Sequence, residues 1–533
     1  MNYIRQHSLV SALLVNLVLF SGFFVFAFPI YHSGDDVYLL YTLAGGFGQA
    51  PTELLHYHYG MHPYLGWMLK NLFVQYPGFN WFTGLLYLFH FIACTAILTL
   101  WMRKNPAAFI AGCYALLFFG IEIHFLLHPS FTNTAFVTAA AGLLMLYVQY
   151  RQRSGTNNLQ LFIGWLLVFV ATMLRLHLLI PALLLSAPFF LFAASRHQLP
   201  RFFVHALATT LFIAAFVLVQ RRYYNDNISG WRQEEKYRQT VIAHYNIPKA
   251  AYDQQPEATR ISADFLEKGI LWDKDFLSEK QVMATTKAIK LTGAWQQSDF
   301  RQKMYWVTIE YRLGIAILAL MLFWKFPSLN KREKIAVMSS GVLLAVMCAG
   351  LLLFRKLPGY IVTGGMLQWM AFTGLPGRKL FPPSPVRRWL LPLTAALLLS
   401  WSLLRVKKTN LRNIHQYGQW RCAYKQVAKA RDKLFVVTDD RFPADYFHVW
   451  HTPRRYPLPN LLYKDHFLNN TYQSAFEKFG IQSSTQFLHN TNIVFTGVVP
   501  ATLLRYYEIK TGNTNGRLRW VETRSCVQTW QLY

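Results

Sequence analysis

Five runs of this chain, Leu9–Ile30, Trp81–Trp101, Phe202–Gln220, Ile335–Phe354 and Trp389–Leu404, approach or reach the length of a bilayer crossing without carrying a charge. A hydrocarbon core of roughly 30 Å takes about 20 apolar residues of helix. Irregular backbone cannot face lipid, because its N–H and C=O groups would find no partners there. Each run is therefore predicted to be a helix. Six shorter or partly ionisable segments extend the series: Ala107–Leu127, Ala135–Tyr150, Leu159–Met173, Leu178–Ala194, Met304–Trp324 and Tyr360–Leu375. The expectation is a membrane all-α protein, a polytopic bundle of about eleven transmembrane helices. Only 15% of the residues are charged against 53% hydrophobic, too few charges to cover a soluble protein of 533 residues. The first run is too long for a signal-peptide core and no A-x-A site follows it, so it reads as a retained helix.

A formal charge of +28 would suit nucleic acid if it were clustered. Instead Arg5, Arg103, Lys104, Arg151, Arg153, Arg196, Arg201, Lys325, Lys331, Arg332, Lys334, Arg378, Lys379, Arg387 and Arg388 fall in alternate short connections. That is the positive-inside pattern of cytoplasmic loops, so the charge sets orientation and nucleic acid is not expected as a partner. The N-terminus is then cytoplasmic in a plasma (inner) membrane. Residues 31–80, residues 220–303 and the tail lie on the extracytoplasmic side.

The chain divides into a membrane domain, 1–404, and a C-terminal extracytoplasmic domain, 405–533. The first external loop, 31–80, carries two amphipathic stretches, DVYLLYTLAGGF and HPYLGWMLKNLF, with helical spacing and interfacial Tyr and Trp. Residues 220–303 mix acidic and basic groups at helical periodicity, which predicts an external helical insertion. The tail contains KLFVVT, NIVFTGVV and a closing stretch with an Asn-Gly pair between alternating residues. These features predict a mixed α/β domain ending in a hairpin.

Asp35 and Asp36 follow the first run by a few residues. Adjacent carboxylates repel, so one keeps a raised pKa or takes a cation as partner, which suits a general base or a metal ligand. The alternative is that the pair caps the helix beginning at Val37. Topology brings further ionisable groups to the same side. Glu122, His124 and His128 end the third run, Arg175 and His177 end the fifth and divide it from the sixth, Glu310 and Arg312 open the eighth, and Arg355 and Lys356 lie between the ninth and tenth. Charges at such depth pair or line a polar cavity, and an Arg there can hold a phosphate through its bidentate fork, although a snorkelling side chain would look the same. His90 reads as a packed residue.

In the first loop His56, His58 and His62 alternate, which permits a metal site in an extended segment or a looser role in a polar substrate cleft. Cys94, Cys113 and Cys348 fall in predicted spans. Cys422 and Cys526 share the tail and can form a disulfide in an oxidising compartment.

The acidic pair in SGDDVYLLYTLAGGF, the amphipathic helices after it and the Arg in the divided span MLRLHLLIP together resemble the GT-C superfamily of membrane glycosyltransferases. The insertion segment ISGWRQEEKYRQTVIAHY also looks like that of bacterial members. The resemblance is architectural over most of residues 1–404. It implies transfer of a sugar from a polyprenyl-phosphate donor to a lipid-linked or cell-envelope glycan acceptor, outside a membrane whose lipids both substrates share. Asp35 or Asp36 would be the base or a ligand to a divalent metal. Arg175, with Arg355 or Lys356, would stabilise the departing phosphate, and Glu122, His124, His58, His62 and His177 would line the substrate cleft. The chain lacks a second acidic metal motif and a WWDYG-like tail, which argues against an oligosaccharyltransferase and leaves a metal cofactor open. A transporter or flippase of a lipid-linked glycan, or a non-catalytic part of an envelope polysaccharide complex, would use a similar basic cavity.

Overall fold

A computed structural model describes residues 7–55, 61–105, 107–151, 158–193, 199–245, 257–267, 270–274, 277–288, 297–354, 357–375, 385–437, 442–468, 471–496, 500–512, 514, 516–520 and 529–532. Each of the eleven apolar segments is helical over most of its described length. Among the described residues seven helices are long and apolar enough to cross a membrane, by length and composition.

In chain order the principal helices are α1 (Ser8–Phe26), α2 (Gly34–Ala44), α3 (Pro63–Gln75), α4 (Trp81–Lys104), α5 (Ala107–Leu117), α6 (Phe131–Arg151), α7 (Asn158–Arg175), α8 (Leu179–Pro188) and α9 (Leu199–Asn227). They continue with α10 (Trp231–Tyr245), α11 (Glu257–Glu267), α12 (Glu279–Ala288), α13 (Gln297–Lys325), α14 (Lys331–Phe354), α15 (Gly359–Thr373), α16 (Pro385–Lys429) and α17 (Pro500–Thr511). The first predicted crossing ends early, because the backbone turns extended at Ala27 and residues 27–33 leave the helix. Both amphipathic stretches of the first loop are helices, α2 and α3.

At the centre of the bundle lies α6, whose best 18-residue window is wholly buried. Its small residues make that position accessible. A Cβ on Gly142 would stand 2.8 Å from the Gly164 carbonyl oxygen of α7, so the two backbones approach as closely as only glycine allows. The third apolar segment is interrupted by a π-turn, Phe118–Glu122, and the fifth and sixth are parted at Arg175, whose φ of −162° and ψ of 100° separate α7 from α8.

Leu404 is not the end of an element. The helix containing it, α16, has 45 residues, about 68 Å at 1.5 Å per residue, and carries the chain from the bundle into a sheet-bearing unit. There five strands form one sheet: β1 (Leu434–Val437), β2 (Leu461–Tyr463), β3 (Ile493–Thr496), β4 (Leu518–Trp520) and β5 (Thr529–Leu532), in the order β2-β1-β3-β5-β4. The first three are parallel, while β5 is antiparallel to both β3 and β4. A terminal hairpin is present, but Gly516 of the Asn-Gly pair precedes β4 rather than joining the strands, so that turn signal was misplaced by one element. Cys422 is disulfide-bonded, whereas Cys94, Cys113 and Cys348 are free; Cys526 lies outside the described residues.

Parallel strands need cover on both faces, and β1 and β3 are buried at every position. Leu434, Val436, Ile493 and Phe495 pack with Val241, Phe265, Leu271 and Trp272 of the helical insertion. Phe435, Val437 and Val494 point the other way, into the core continuous with the membrane helices. The insertion is further tied to the tail at Asp273, which accepts from Tyr506 Oη at 2.7 Å and pairs with Lys510 Nζ at 2.7 Å.

The sheet-bearing unit meets the bundle at Asn80, which is 1% exposed. Its Oδ1 caps α4 by accepting from Thr83 N at 3.1 Å. Its Nδ2 lies 2.9 Å from Tyr31 Oη, 2.7 Å from the Val449 carbonyl and 3.0 Å from the His451 carbonyl. Replacing Asn80 by Ala should therefore cost about 2–4 kcal/mol, the sum of a lost cap and buried acceptors left unpaired. Thermal unfolding in detergent checks this. A loss below about 0.5 kcal/mol, within the range of an ordinary surface change, would show that the junction is held elsewhere.

Candidate active site

Residues 28–32 thread a seam between the bundle and the tail. Ile30 N donates to the Leu127 carbonyl at 3.1 Å and His32 N to that of Pro129 at 3.4 Å. On the other side Phe28 N donates to Asn410 Oδ1 and Asn413 Nδ2 to the Phe28 carbonyl at 2.9 Å, while Ile30 bridges His448. The seam fixes where α2 begins, and hence where the acidic pair stands.

The two acids have different surroundings. Asp36 is fully buried; its Oδ2 accepts from Ser33 Oγ at 2.9 Å and its Oδ1 from Phe131 N at 3.1 Å. It caps a helix, as the alternative reading held, but that helix is α6 rather than its own. Burial pushes its carboxyl up to about 7 against the pull of these hydrogen bonds, and the Asp35 charge adds to the rise. Asp35 is half-buried and acts electrostatically on His32.

A cleft of about 410 Å³ opens where the seam, the end of the third crossing, α13, α15, α16 and the tail converge. Tyr31, His32, His124, His128, Asn133, Glu310, Tyr360, Arg405, Arg412 and Asp445 are among the residues lining it. Gly120 of the π-turn forms part of its wall. Beside it a groove of about 510 Å³ shares Glu310, Arg405, Thr409 and Arg412 with the cleft and adds Arg312, Trp401, Leu404 and Lys408. Arg405 donates to the Glu310 carbonyl at 3.3 Å, and the Arg312 guanidinium lies 5.2 Å from the Trp401 ring centroid. Two polar atoms in the cleft wall, Asn133 Oδ1 and His124 Nε2, find no hydrogen-bond partner among the described residues. Burial first, then the neighbouring His32 imidazole and the Arg412 guanidinium, push the His128 imidazole down to about 4, leaving it neutral at pH 7.

Of the predicted site residues, His124 lines this cleft, as do His128 and Glu310 from the wider ring; Asp35 stands beside it through His32. Glu122 does not line it. It is fully buried and its Oε1 lies 2.6 Å from Nδ1 of His90, whose Nε2 is 3.0 Å from Thr134 Oγ1. Two ionisable groups in apolar surroundings thus pair through Glu122 Oε1, and His90 is a partner rather than a packed bystander. Arg175 stands behind the wall, donating to Thr132 Oγ1 with its guanidinium 5.1 Å from the Phe131 ring and 5.9 Å from that of Tyr360. His177 is exposed away from the lining. His62 caps α3, with Nδ1 accepting from Tyr64 N at 3.3 Å and Nε2 3.2 Å from the Phe216 carbonyl, so its ring nitrogens are committed. His56, His58, Arg355 and Lys356 lie outside the described residues.

The residues do not fit a metal at the acidic pair. Both oxygens of Asp36 already accept hydrogen bonds, and burial disfavours the ionised form that a metal ligand needs. Among the described residues no group of three or more His, Cys, Asp or Glu side chains could hold an ion. Sequence reasoning missed Arg405, Lys408, Arg412 and Asp445. The first three recur at helical spacing after Trp401, a signal hidden by ending the span at Leu404.

No family model, curated protein or solved structure matches this chain.

Because Asn accepts at the same position, Asp36→Asn should fold normally, whereas Asp36→Ala should lose about 1–3 kcal/mol by orphaning the Phe131 N–H. The sign of the pH effect follows from the raised pKa. The stability Asp36 contributes is complete below its ordinary value of 3.8 and is lost as pH rises through about 7. Unfolding midpoints of Asp36→Asn should therefore vary less between about pH 4 and 7 than those of the parent protein; an unchanged slope would remove Asp36 as the cause.

Proposed function

We propose that the protein is a membrane glycosyltransferase of the GT-C kind. It moves one sugar from a polyprenyl-phosphate donor to a lipid-linked or cell-envelope glycan acceptor on the extracytoplasmic side of the plasma membrane, with the N-terminus cytoplasmic and about eleven crossings. The observation that carries the reading is the continuity of the cleft with the groove along α16. Arg312, Arg405, Lys408 and Arg412 offer cations above an apolar wall of Trp401 and Leu404, which suits an anionic group attached to a lipid chain.

In this reading Asp35 is the general base, since Asp36 is committed to α6. Asp35 takes the proton of the acceptor hydroxyl, whose oxygen attacks the anomeric carbon. The bond from that carbon to the phosphate oxygen breaks, and its electron pair leaves with the polyprenyl phosphate. Arg405 and Arg412 stabilise the charge that develops there. Asn133, His124 and neutral His128 are positioned to hold sugar hydroxyls. Arg175 becomes a positioning residue, bracing Thr132 and Tyr360 from behind.

Incubating the purified protein in detergent with a panel of polyprenyl-phosphate sugars and envelope lipids tests the proposal, because product formed without a sealed compartment distinguishes transfer from transport. Asp35→Asn should lower turnover by about 100- to 10,000-fold, the usual worth of a general base, while Asp36→Asn remains near normal. Equal activity of parent and Asp35→Asn at matched membrane levels would sink the assignment of the base. Failure of every donor in the panel would count against sugar transfer itself.

A further inference from the structure

A second cavity lies at the opposite end of the bundle. Counting 22 residues from Trp81 at 1.5 Å each, Arg103 stands about 33 Å along α4 from the junction with the tail, one bilayer thickness away. Just inside it, a cavity of about 310 Å³ runs between α1, α4, α6 and α7, lined mainly by apolar residues such as Leu13, Ile92, Ala96 and Ile163. Its outer members Leu9, Leu13 and Leu159 are 53%, 39% and 67% exposed, so it opens to the surrounding membrane.

Two polar groups make this more than a gap in packing. The first is Arg103, an exposed side chain whose Nε and Nη1 are anchored by Ser8 Oγ at 3.2 Å and Gln160 Oε1 at 2.9 Å. Among the described residues it has no carboxylate partner, so its charge is fixed in place at the mouth of the cavity without being neutralised. The second is Thr99, which lines the cavity, is only 6% exposed, and has a hydroxyl with no hydrogen-bond partner. Thr42, Thr138, Thr210 and Thr363 each satisfy a helical hydroxyl on the carbonyl four residues back. Thr99 lies one turn below Arg103 on the same helix face, about 6 Å deeper, comparable with the thickness of the interfacial layer on each side of a bilayer.

We infer that this cavity is a binding site for one anionic glycerophospholipid of the leaflet remote from the sheet-bearing unit. Arg103 holds the phosphate, Thr99 donates to a glycerol ester carbonyl, and the acyl chain fills the apolar space past Ala96. The order of these groups with depth matches the lipid: charge at the surface, ester beneath it, hydrocarbon below. A bound lipid would also tie α1 to α7 at the end of the bundle farthest from Asn80. The site is independent of the glycosyl-transfer reading.

The test uses the full-length protein in detergent, with phosphatidylglycerol and phosphatidylcholine of identical acyl chains added in turn, read by native mass spectrometry and thermal unfolding. One phosphatidylglycerol should be retained per chain and should raise the unfolding midpoint, with phosphatidylcholine binding at least tenfold more weakly. Arg103→Gln and Ala96→Phe should each weaken phosphatidylglycerol binding tenfold or more, and Thr99→Val by a smaller factor. Since Arg103 also holds Ser8 and Gln160, its replacement could disturb folding; Ala96→Phe fills the cavity without touching those bonds and decides the matter in that event. Equal retention of the two lipids, or undiminished phosphatidylglycerol binding by a folded Ala96→Phe variant, would overturn the assignment.

Discussion

The architecture depends on a single amide. Asn80 caps the membrane helix α4 and, with the other end of the same group, faces Tyr31 of the first loop and two carbonyls of the tail. Thr83 completes the junction by donating to Val449 O at 2.9 Å and lying 2.6 Å from Tyr31 Oη. In surroundings with little water, each of these polar groups would be expensive unpaired, so the three chain segments can come together in only one arrangement. Trp450 then stacks on Tyr87 at 5.4 Å and meets Phe24 edge-on at 5.5 Å, pressing the tail onto the bundle with apolar surface as well.

From that junction the remaining geometry follows. The long helix α16 can leave the bundle because the sheet it leads into is itself two-faced. Alternate residues of β1 and β3 bury toward the insertion helices on one side and toward the membrane-continuous core on the other. The cleft forms where this sheet-bearing unit, the seam at residues 28–32 and the ends of the membrane helices leave a gap too polar to close. Its walls are cationic from α16 and carry neutral imidazole from His128.

Charge placement separates structural from exposed groups. Asp36 and Glu122 are both fully buried, and each is answered by a partner from a distant segment, the Phe131 N–H and His90. Asp35 and Arg405 are only half-buried and Arg412 is exposed, and the two arginines line the cleft.

The helical character of the chain was legible in its sequence, because a long uncharged run has only one way to satisfy its backbone in lipid. The same holds for the amphipathic helices of the first loop, the insertion helices and the mixed tail, whose local periodicities report directly on which face is buried. The acidic pair and His124 were also visible as ionisable groups near the ends of spans. What the sequence could not supply was the partner of each group. Asp36 caps a helix that starts 95 residues later, Glu122 meets His90 across 32 residues, and Arg405 joins the cleft from a helix taken to end at Leu404. Local pattern fixes which residues must be helical and which must avoid lipid; which polar groups satisfy one another is decided only when the segments pack, since a hydrogen bond acts over about 3 Å of space regardless of distance along the chain.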